Sequence, residues 1–503
     1  MLFNSPAFLF CFLPAVVLLV LLTNRISLIY GRMALAVASL YFYSQGGDPQ
    51  HLALLMASTL CNYWIGSAIQ SQPDEASRQK WLLVGVSANL LILAFFKYLN
   101  FFSGVVSELS QMCTLQTHVL LPLGISFYTF TQIAYLVDSA AGKVKEKSLI
   151  DYALFVWYFP HQIAGPILHH KEMLSQFRSS AFGVDSRRVL VGCCIVGLGL
   201  FKKVVIADWF ERIATPIFNA AGHGVTPGFF EGWAAATAYA LQIYFDFSAY
   251  CDMAVGVSFM FGIRLPANFD SPYKSLSIVE FWRRWHLTLS RFLRDYLYIP
   301  LGGNRHGEGR RQLNLVTTMV LGGFWHGASW NFLIWGALHG GFLAGNHYWR
   351  KSALSQRLPL PKWLCWTLTM FAVVNAWVFF RANTLPEAFT LLRGMYGVQG
   401  ITWPMFMQQV LPWLPTGDFS TLWVGSVTRG FHVTTIALAL LWCAFSPNIN
   451  QWFAKEQPII DSPEPVFKRN WAMSVPGVLF TALVTGWAIS RLGEDSAFIY
   501  FNF

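Results

Sequence analysis

The chain has 503 residues, of which 55% are hydrophobic, 17% aromatic and only 12% charged. Its 35 Lys and Arg against 25 Asp and Glu give a formal net charge of +10. Soluble domains carry roughly 25% charged residues. This composition therefore excludes a disordered chain, a fibrous repeat and almost any soluble fold, and it points to a protein whose solvent is largely lipid.

Residues 1–24 form the first stretch without Asp, Glu, Lys or Arg. No basic residue precedes it, and only Thr23-Asn24-Arg25 follows where a small-residue cleavage site would stand. A retained first helix is expected rather than a removable leader. Further charge-free runs follow at 49–73, 81–96, 109–137 and 152–170, then at 312–349, 363–380, 394–417, 430–454 and 470–490. Shorter ones lie at 33–47, 189–201, 213–230 and 232–245. A membrane helix needs about 20 mostly apolar residues, and backbone at membrane depth must satisfy its own hydrogen bonds. The expectation is all-α: a polytopic helical bundle of about 11 to 13 membrane segments, some re-entrant. The 312–349 run is long enough for a helix plus a turn or second helix. No internal repeat is visible. The chain reads as one integral-membrane domain, with plain helices in 1–110, a core in 111–350 richer in Gly, Pro, His and Asp within apolar runs, and plainer helices in 351–503.

The basic residues gather at 143–147, 178–188, 202–203, 283–311, 350–362 and 468–469, between apolar runs. That is the pattern of cytoplasmic loops and places 283–311 on the cytoplasmic side. It is not a nucleic-acid footprint. The cysteines Cys11, Cys61, Cys113, Cys193, Cys194, Cys251, Cys365 and Cys443 form no CxxC pair. They read as small buried hydrophobes, and no metal site is expected.

Polar residues at membrane depth are costly and mark function, so candidates are sought in the middle block. FPHQIAGPIL (159–168) sets His161 before a Gly-Pro break and reads as structural, and His169-His170 read as a loop end. YFDFSAYCDMAVG (244–256) buries Asp246 and Asp252 among aromatics. Such acids bond Ser, Tyr or backbone or pair with a Lys or Arg; the sharper alternative is a partner for a histidine or a proton relay.

VEFWRRWHLTLSRFLRDYLYI (279–299), drawn as one helix, separates into two halves. One holds Phe281, Trp282, Trp285, Leu289, Phe292 and Tyr296, with His286 near its edge; the other holds Arg283, Arg284, Arg291 and Arg294. An amphipathic helix lying in the membrane interface is expected. His286 either bonds the core or lines a catalytic channel. The arginines either anchor headgroups or attract a phosphate-bearing acyl donor.

GGFWHGASWNFLIWGALHG (322–340) places His326 between Trp325 and Gly327 in the longest uncharged stretch. A neutral imidazole is a general base near neutral pH, and Gly322, Gly323 and Gly327 leave room for a substrate or another backbone. From the residues alone, catalysis and structure stand level. His339 lies 13 residues on, roughly 140° around one straight helix, so a metal shared by the two is not expected. There is no GxSxG, HExxH or Walker motif, which disfavours a serine acyl-enzyme, a zinc protease and an ATP-driven pump.

FWRRWHLTLSRFLRDYLYIPLGGNR (281–305) followed by GGFWHGASWNFLIWGALHG (322–340) resembles the membrane-bound O-acyltransferase family. The resemblance is strongest to its bacterial branch, with alginate O-acetylases and the D-alanyl transfer protein of teichoic acid synthesis. LPLGISFYTF (121–130), FPHQIAGPIL (159–168), GLFKKVVIAD (199–208), YFDFSAYCDMAVG (244–256) and FIYFNF (498–503) also match. The resemblance implies a helical bundle around a funnel and a narrow tunnel. His326 matches the histidine regarded as catalytic, and His286 the second histidine of the bacterial branch. Asp246 and Asp252 match acids of the family's aromatic-acid stretch. Trp325, Asp246, Trp282 and Arg283 are assigned to substrate binding.

The resemblance further implies a multi-pass protein of the bacterial inner membrane. It would move acetyl groups from a cytoplasmic thioester, acetyl-CoA or another, with no metal, toward an extracytoplasmic polysaccharide such as alginate or cellulose. A periplasmic esterase-like partner is implied as well. YFYSQGGDPQHL (41–52) and the 396–430 loop depart from the alginate-type pattern and leave the acceptor open. The alternative function is a proton-coupled transporter or flippase with buried His and Asp as a relay.

Overall fold

The structure is a computed structural model of the chain. It describes residues 1–110, 120–144, 148–357, 359–398, 400–401, 413, 426–493 and 498–499, without the side chains of 426–431. Cys113, most of the 396–430 loop, residues 145–147 of the first basic cluster and residues 500–503 of the terminal motif lie outside the described residues.

The described residues are helical, with no β-strand and only a single parallel bridge between Leu265 and Ile459. The helices are α1 (Ala7–Asn24), α2 (Leu28–Ser44), α3 (Pro49–Ser71), α4 (Glu75–Ser110), α5 (Ile125–Ala140), α6 (Leu149–Trp157), α7 (His170–Phe177), α8 (Ser186–Gly222) and α9 (Phe229–Met260). They continue as α10 (Ile278–Trp282), α11 (Leu287–Leu293), α12 (Gly307–His326), α13 (Trp330–Lys351), α14 (Lys362–Arg381), α15 (Leu385–Met395), α16 (Ser426–Phe445) and α17 (Val475–Ser490). Their starts are written locally. Ser27, Asp48, Asp74, Asp185 and Ser474 each turn a side-chain oxygen onto a backbone N–H of the first turn, satisfying a donor the helix leaves unpaired.

Among the described residues five helices are long and apolar enough to cross a membrane: α1, α3, α4, α8 and α14. Leu83 on α4 is 68% exposed and Leu483 on α17 is 74% exposed. In water such surfaces would associate; against acyl chains they are at rest. The protein is an all-α polytopic membrane protein. Charge-free runs need not each be one continuous helix, because protein-lined depth tolerates turns. The 152–170 run ends its helix at Trp157 and reaches α7 only at His170, and the 312–349 run is divided between α12 and α13.

The chain forms two compact units that alternate along the sequence. The first comprises residues 1–204, 247–268 and 448–503. Its α3, α4 and α5 are joined by buried amides. Asn62 Nδ2 donates to Gln132 Oε1 at 2.7 Å and Asn89 Nδ2 to Asn62 Oδ1 at 2.6 Å, bonds that hold helices together where the hydrophobic effect is weak. Asp151 on α6 is fully buried and is clasped by Arg32 at 2.5 Å and Arg178 at 2.6 Å. The second unit comprises residues 205–246 and 269–447. In it α12 and α13 form an antiparallel hairpin, against which α14 packs.

Glycines set how close the two hairpin helices come. A Cβ on Gly323 would strike the carbonyl of Phe332, and one on Gly336 would strike the carbonyl of Met319. A Cβ on Gly340 would lie 2.9 Å from Val316 Cα. Only residues without a side chain allow this approach. Gly323 thus admits a backbone, one of the two uses foreseen for it, whereas Gly327 meets the ring of Phe332 and Gly322 the side chain of Leu293.

Candidate active site

The first hairpin helix ends on His326, and the chain reverses over Gly327-Ala328-Ser329 before α13 begins at Trp330. His326 is buried and stands among aromatic rings. Its centroid is 4.9 Å from Trp325, 5.3 Å from Trp335 and 5.2 Å from Phe380. Trp335 comes from α13 and Phe380 from α14. Asn331 Nδ2 donates to the carbonyl of Ala382 and so ties the start of α13 to the end of α14.

The continuous amphipathic helix expected over 279–299 is not formed. The segment is helical over Ile278–Trp282, turns through 283–286, resumes at Leu287–Leu293 and widens to a π turn at Arg294–Tyr298. The break has a visible cause. Asp270 N–H donates to the carbonyl of Arg284 at 3.0 Å, and Arg284 returns bonds from its guanidinium to Asp270 and Glu280. The carbonyl that would continue the helix is thereby engaged elsewhere.

His286 closes the break in a left-handed conformation, φ 44° and ψ 55°, rare for a residue with a Cβ and costing about 1–3 kcal/mol. Such strain is typical of functional positions. Its ring is fully buried and lies 6.5 Å, centroid to centroid, from that of His326. At that spacing both imidazoles can reach one small group.

The remaining sequence candidates fall in different places. Trp325 borders His326. Trp282 is buried on α10, 5.8 Å from Trp335, and donates from Nε1 to His339 Nδ1 at 3.2 Å. Asp246 is buried on α9. Tyr244, two residues earlier, joins the aromatic cluster through Tyr273 at 5.1 Å and Trp285 at 6.3 Å, and Trp285 continues it to Trp377 at 4.9 Å. Arg283 is exposed at the break and is not among the rings around His326.

Asp252 forms an ion pair with Lys202 at 2.6 Å within the first unit, the pairing expected of such an acid. His161 donates to the carbonyl of Phe155 at 2.9 Å, in keeping with a structural role. His170 is not a loop end: it opens α7, buried, 3.0 Å from Asp138.

Trp335, Phe380 and His339 were not singled out for the site. The straight-helix comparison of His326 with His339 does not apply, since the two stand on separate helices. The usable signal lies within α13. Trp335 and His339 are four residues apart and share a face, and their rings meet at 4.8 Å. No group of three or more His, Cys, Asp or Glu able to hold a metal occurs among the described residues. The arrangement is thus two neighbouring buried imidazoles, that of His326 among aromatic rings, suited to proton transfer or transient acyl carriage on a desolvated group.

The family model described as MBOAT, membrane-bound O-acyltransferase family, matches residues 47–385. The chain is 36% identical to the peptidoglycan O-acetyltransferase of Helicobacter pylori, covering 100% of this chain and 98% of that one. It is 42% identical to a probable alginate O-acetylase of Pseudomonas putida, covering both chains completely. It is 30% identical to the teichoic acid D-alanyltransferase of Streptococcus thermophilus, over 54% of this chain and 68% of that one. With a matching model over most of its length and full-length relatives well above 30% identity, the chain belongs to the membrane-bound O-acyltransferase family and is an acyltransferase of the membrane.

Proposed function

We propose that the protein is a multi-pass O-acetyltransferase of a bacterial inner membrane that passes acetyl groups from a cytoplasmic thioester toward an extracytoplasmic glycan. The single observation that carries this reading is a pair of buried histidines 6.5 Å apart, His326 of the pair walled by Trp325, Trp335 and Phe380. The relatives' names, which include peptidoglycan, alginate and teichoic acid acyl transfer, support a polymeric acceptor bearing hydroxyls.

His326 takes the proton of the acceptor hydroxyl as its oxygen attacks the thioester carbonyl. The carbon–sulfur bond then breaks and the thiol leaves with the proton. His286 donates a hydrogen bond to the carbonyl oxygen that gains charge. Where the acetyl group is relayed through an esterase-like protein on the far side, a ring nitrogen of His326 attacks the thioester carbonyl and the thiol leaves; a hydroxyl of that protein then takes the acetyl group as the carbon–nitrogen bond breaks and its proton returns to the ring. Trp325 and Trp282 shape the walls, and Asp246 supports the acceptor side. Arg283, exposed at the break and first in the basic 283–311 segment, meets the phosphate of acetyl-CoA or another phosphate-bearing donor at the cytoplasmic entrance. The whole chain acts as one catalytic membrane domain.

General-base catalysis is worth about 10²–10⁴-fold, and the confinement of donor and acceptor supplies more. The test replaces His326 by Ala, confirms equal protein in the membrane and measures base-labile O-acetyl ester on cell-surface polymers. Ester at the level of a deletion strain is expected. Ester at the wild-type level would end the proposal.

A further inference from the structure

Behind the aromatic wall of the site stands a third histidine that the mechanism above does not use. His339 is fully buried on α13, one turn beyond Trp335. Its contacts run in two directions. Toward His326 it meets Trp335 at 4.8 Å, and Trp335 in turn meets His326 edge-on at 5.3 Å and Phe380 at 5.1 Å. Toward His286 it accepts the indole N–H of Trp282 at Nδ1, 3.2 Å, with the rings 5.2 Å apart, and it stacks on Phe281 at 6.1 Å and 12°. Phe281 and Trp282 end the short helix that precedes the break holding His286 in its left-handed conformation.

The chemistry of that bond is one-sided. An indole nitrogen can only donate, so His339 Nδ1 must carry a lone pair, and the proton of the neutral ring sits on Nε2. A protonated imidazole, a phenyl ring or an aliphatic side chain could fill the space but could not accept the bond. Within the cluster the bond is directional, whereas stacking and edge contacts among rings leave rotation and sliding open.

We propose that His339 is a positioning residue: its Nδ1 lone pair, held by Trp282, locks the helix that leads to His286 against the helix that backs His326, and so fixes the spacing of the two rings. The proposal rests on the reading that His286 and His326 act on one acetyl group. It places His339 outside the reacting atoms. The bond fixes where Trp282 sits, Trp282 fixes where the 283–286 turn begins, and Trp335 transmits the position of His339 to His326.

The experiment uses full-length protein in membrane vesicles with radiolabelled acetyl-CoA, and counts base-labile label on the host's surface polymers. Three variants are compared with the wild type at equal membrane protein: His339→Asn, whose amide oxygen lies where Nδ1 does and still accepts, His339→Phe, which fills the space without accepting, and Trp282→Phe, which removes the donor. His339→Phe is expected to lower kcat at least about tenfold, with KM for acetyl-CoA within about twofold, because misplacement of reacting groups by about 1 Å costs up to 10²-fold in rate. His339→Asn restores most of that loss. Trp282→Phe lowers kcat similarly, and combining it with His339→Phe adds little more, since both remove the same bond. Wild-type kcat in His339→Phe, or equal losses in the Asn and Phe variants at normal protein level, overturns the inference. His326→Ala is measured beside them: if that variant keeps wild-type activity, the reading of the site fails, whereas an inactive His326→Ala beside a fully active His339→Phe refutes the role of His339 alone.

Discussion

Replacing Gly336 by Ala tests whether the hairpin of α12 and α13 sets the geometry of the site. Alanine is the better helix former by about 1 kcal/mol, so at a position open to lipid the change would stabilise. Gly336 is not such a position. Its added Cβ would collide with the carbonyl of Met319 and lie 2.8 Å from Val320 Cα. These are backbone atoms of the facing helix, which cannot swing aside as a side chain would. Restoring an ordinary contact of roughly 3.4 Å to Val320 Cα requires the helices to part by at least about 0.6 Å, and the carbonyl demands more. Overpacking of this kind costs about 1–3 kcal/mol.

The displacement falls on Trp335, the preceding residue, and thence on His326, so acetyl transfer should drop about tenfold or more. Gly341 on the same helix is the control, because a Cβ there meets nothing within 4 Å. The assay is thermal unfolding of both variants in detergent, beside surface O-acetyl ester in cells. Gly336→Ala should melt below wild type and lose ester, while Gly341→Ala melts at or slightly above it with ester intact. A Gly336→Ala protein as stable and as active as Gly341→Ala would refute the reasoning.

His286 offers a second test, because its φ of 44° is tolerated by Asn and closed to β-branched residues. His286→Asn should accumulate in membranes near the wild-type level yet transfer little acetyl group, whereas His286→Ile should fail to accumulate; immunoblots of membranes beside ester content distinguish the two. The Glu456 carboxyl is held below the ordinary carboxylate range by its hydrogen bond with Arg187, with Asn470 adding to the effect. A depressed folded-state value means the contact contributes stability above the unfolded-state value and loses it as pH falls through the folded one. Melting temperature should therefore decline below about pH 4.5, more steeply in the wild type than in Glu456→Gln, and identical acid limbs would contradict the assignment.

Composition alone determined the class of this protein, because a chain with so few charges can bury its surface only in itself and in lipid. The sequence likewise placed His326 within an uncharged run between a tryptophan and a glycine, and showed that the 312–349 run has room for two helices. These features are local or additive, and a linear reading captures them. The tertiary structure decided what required contact between distant residues. The 279–299 segment has a good amphipathic pattern, yet it breaks at 283–286 because Asp270, outside the segment in the preceding loop, takes the carbonyl of Arg284. That break turns His286 toward His326. Asp252 and Lys202, 50 residues apart, pair across two helices. His339 enters the cluster from the second arm of a hairpin whose closeness depends on Gly323, Gly336 and Gly340. Periodicity states which face of an isolated helix is apolar; where a helix stops, and which ring it then presents to which, is set by hydrogen bonds and packing that exist only once the elements have come together.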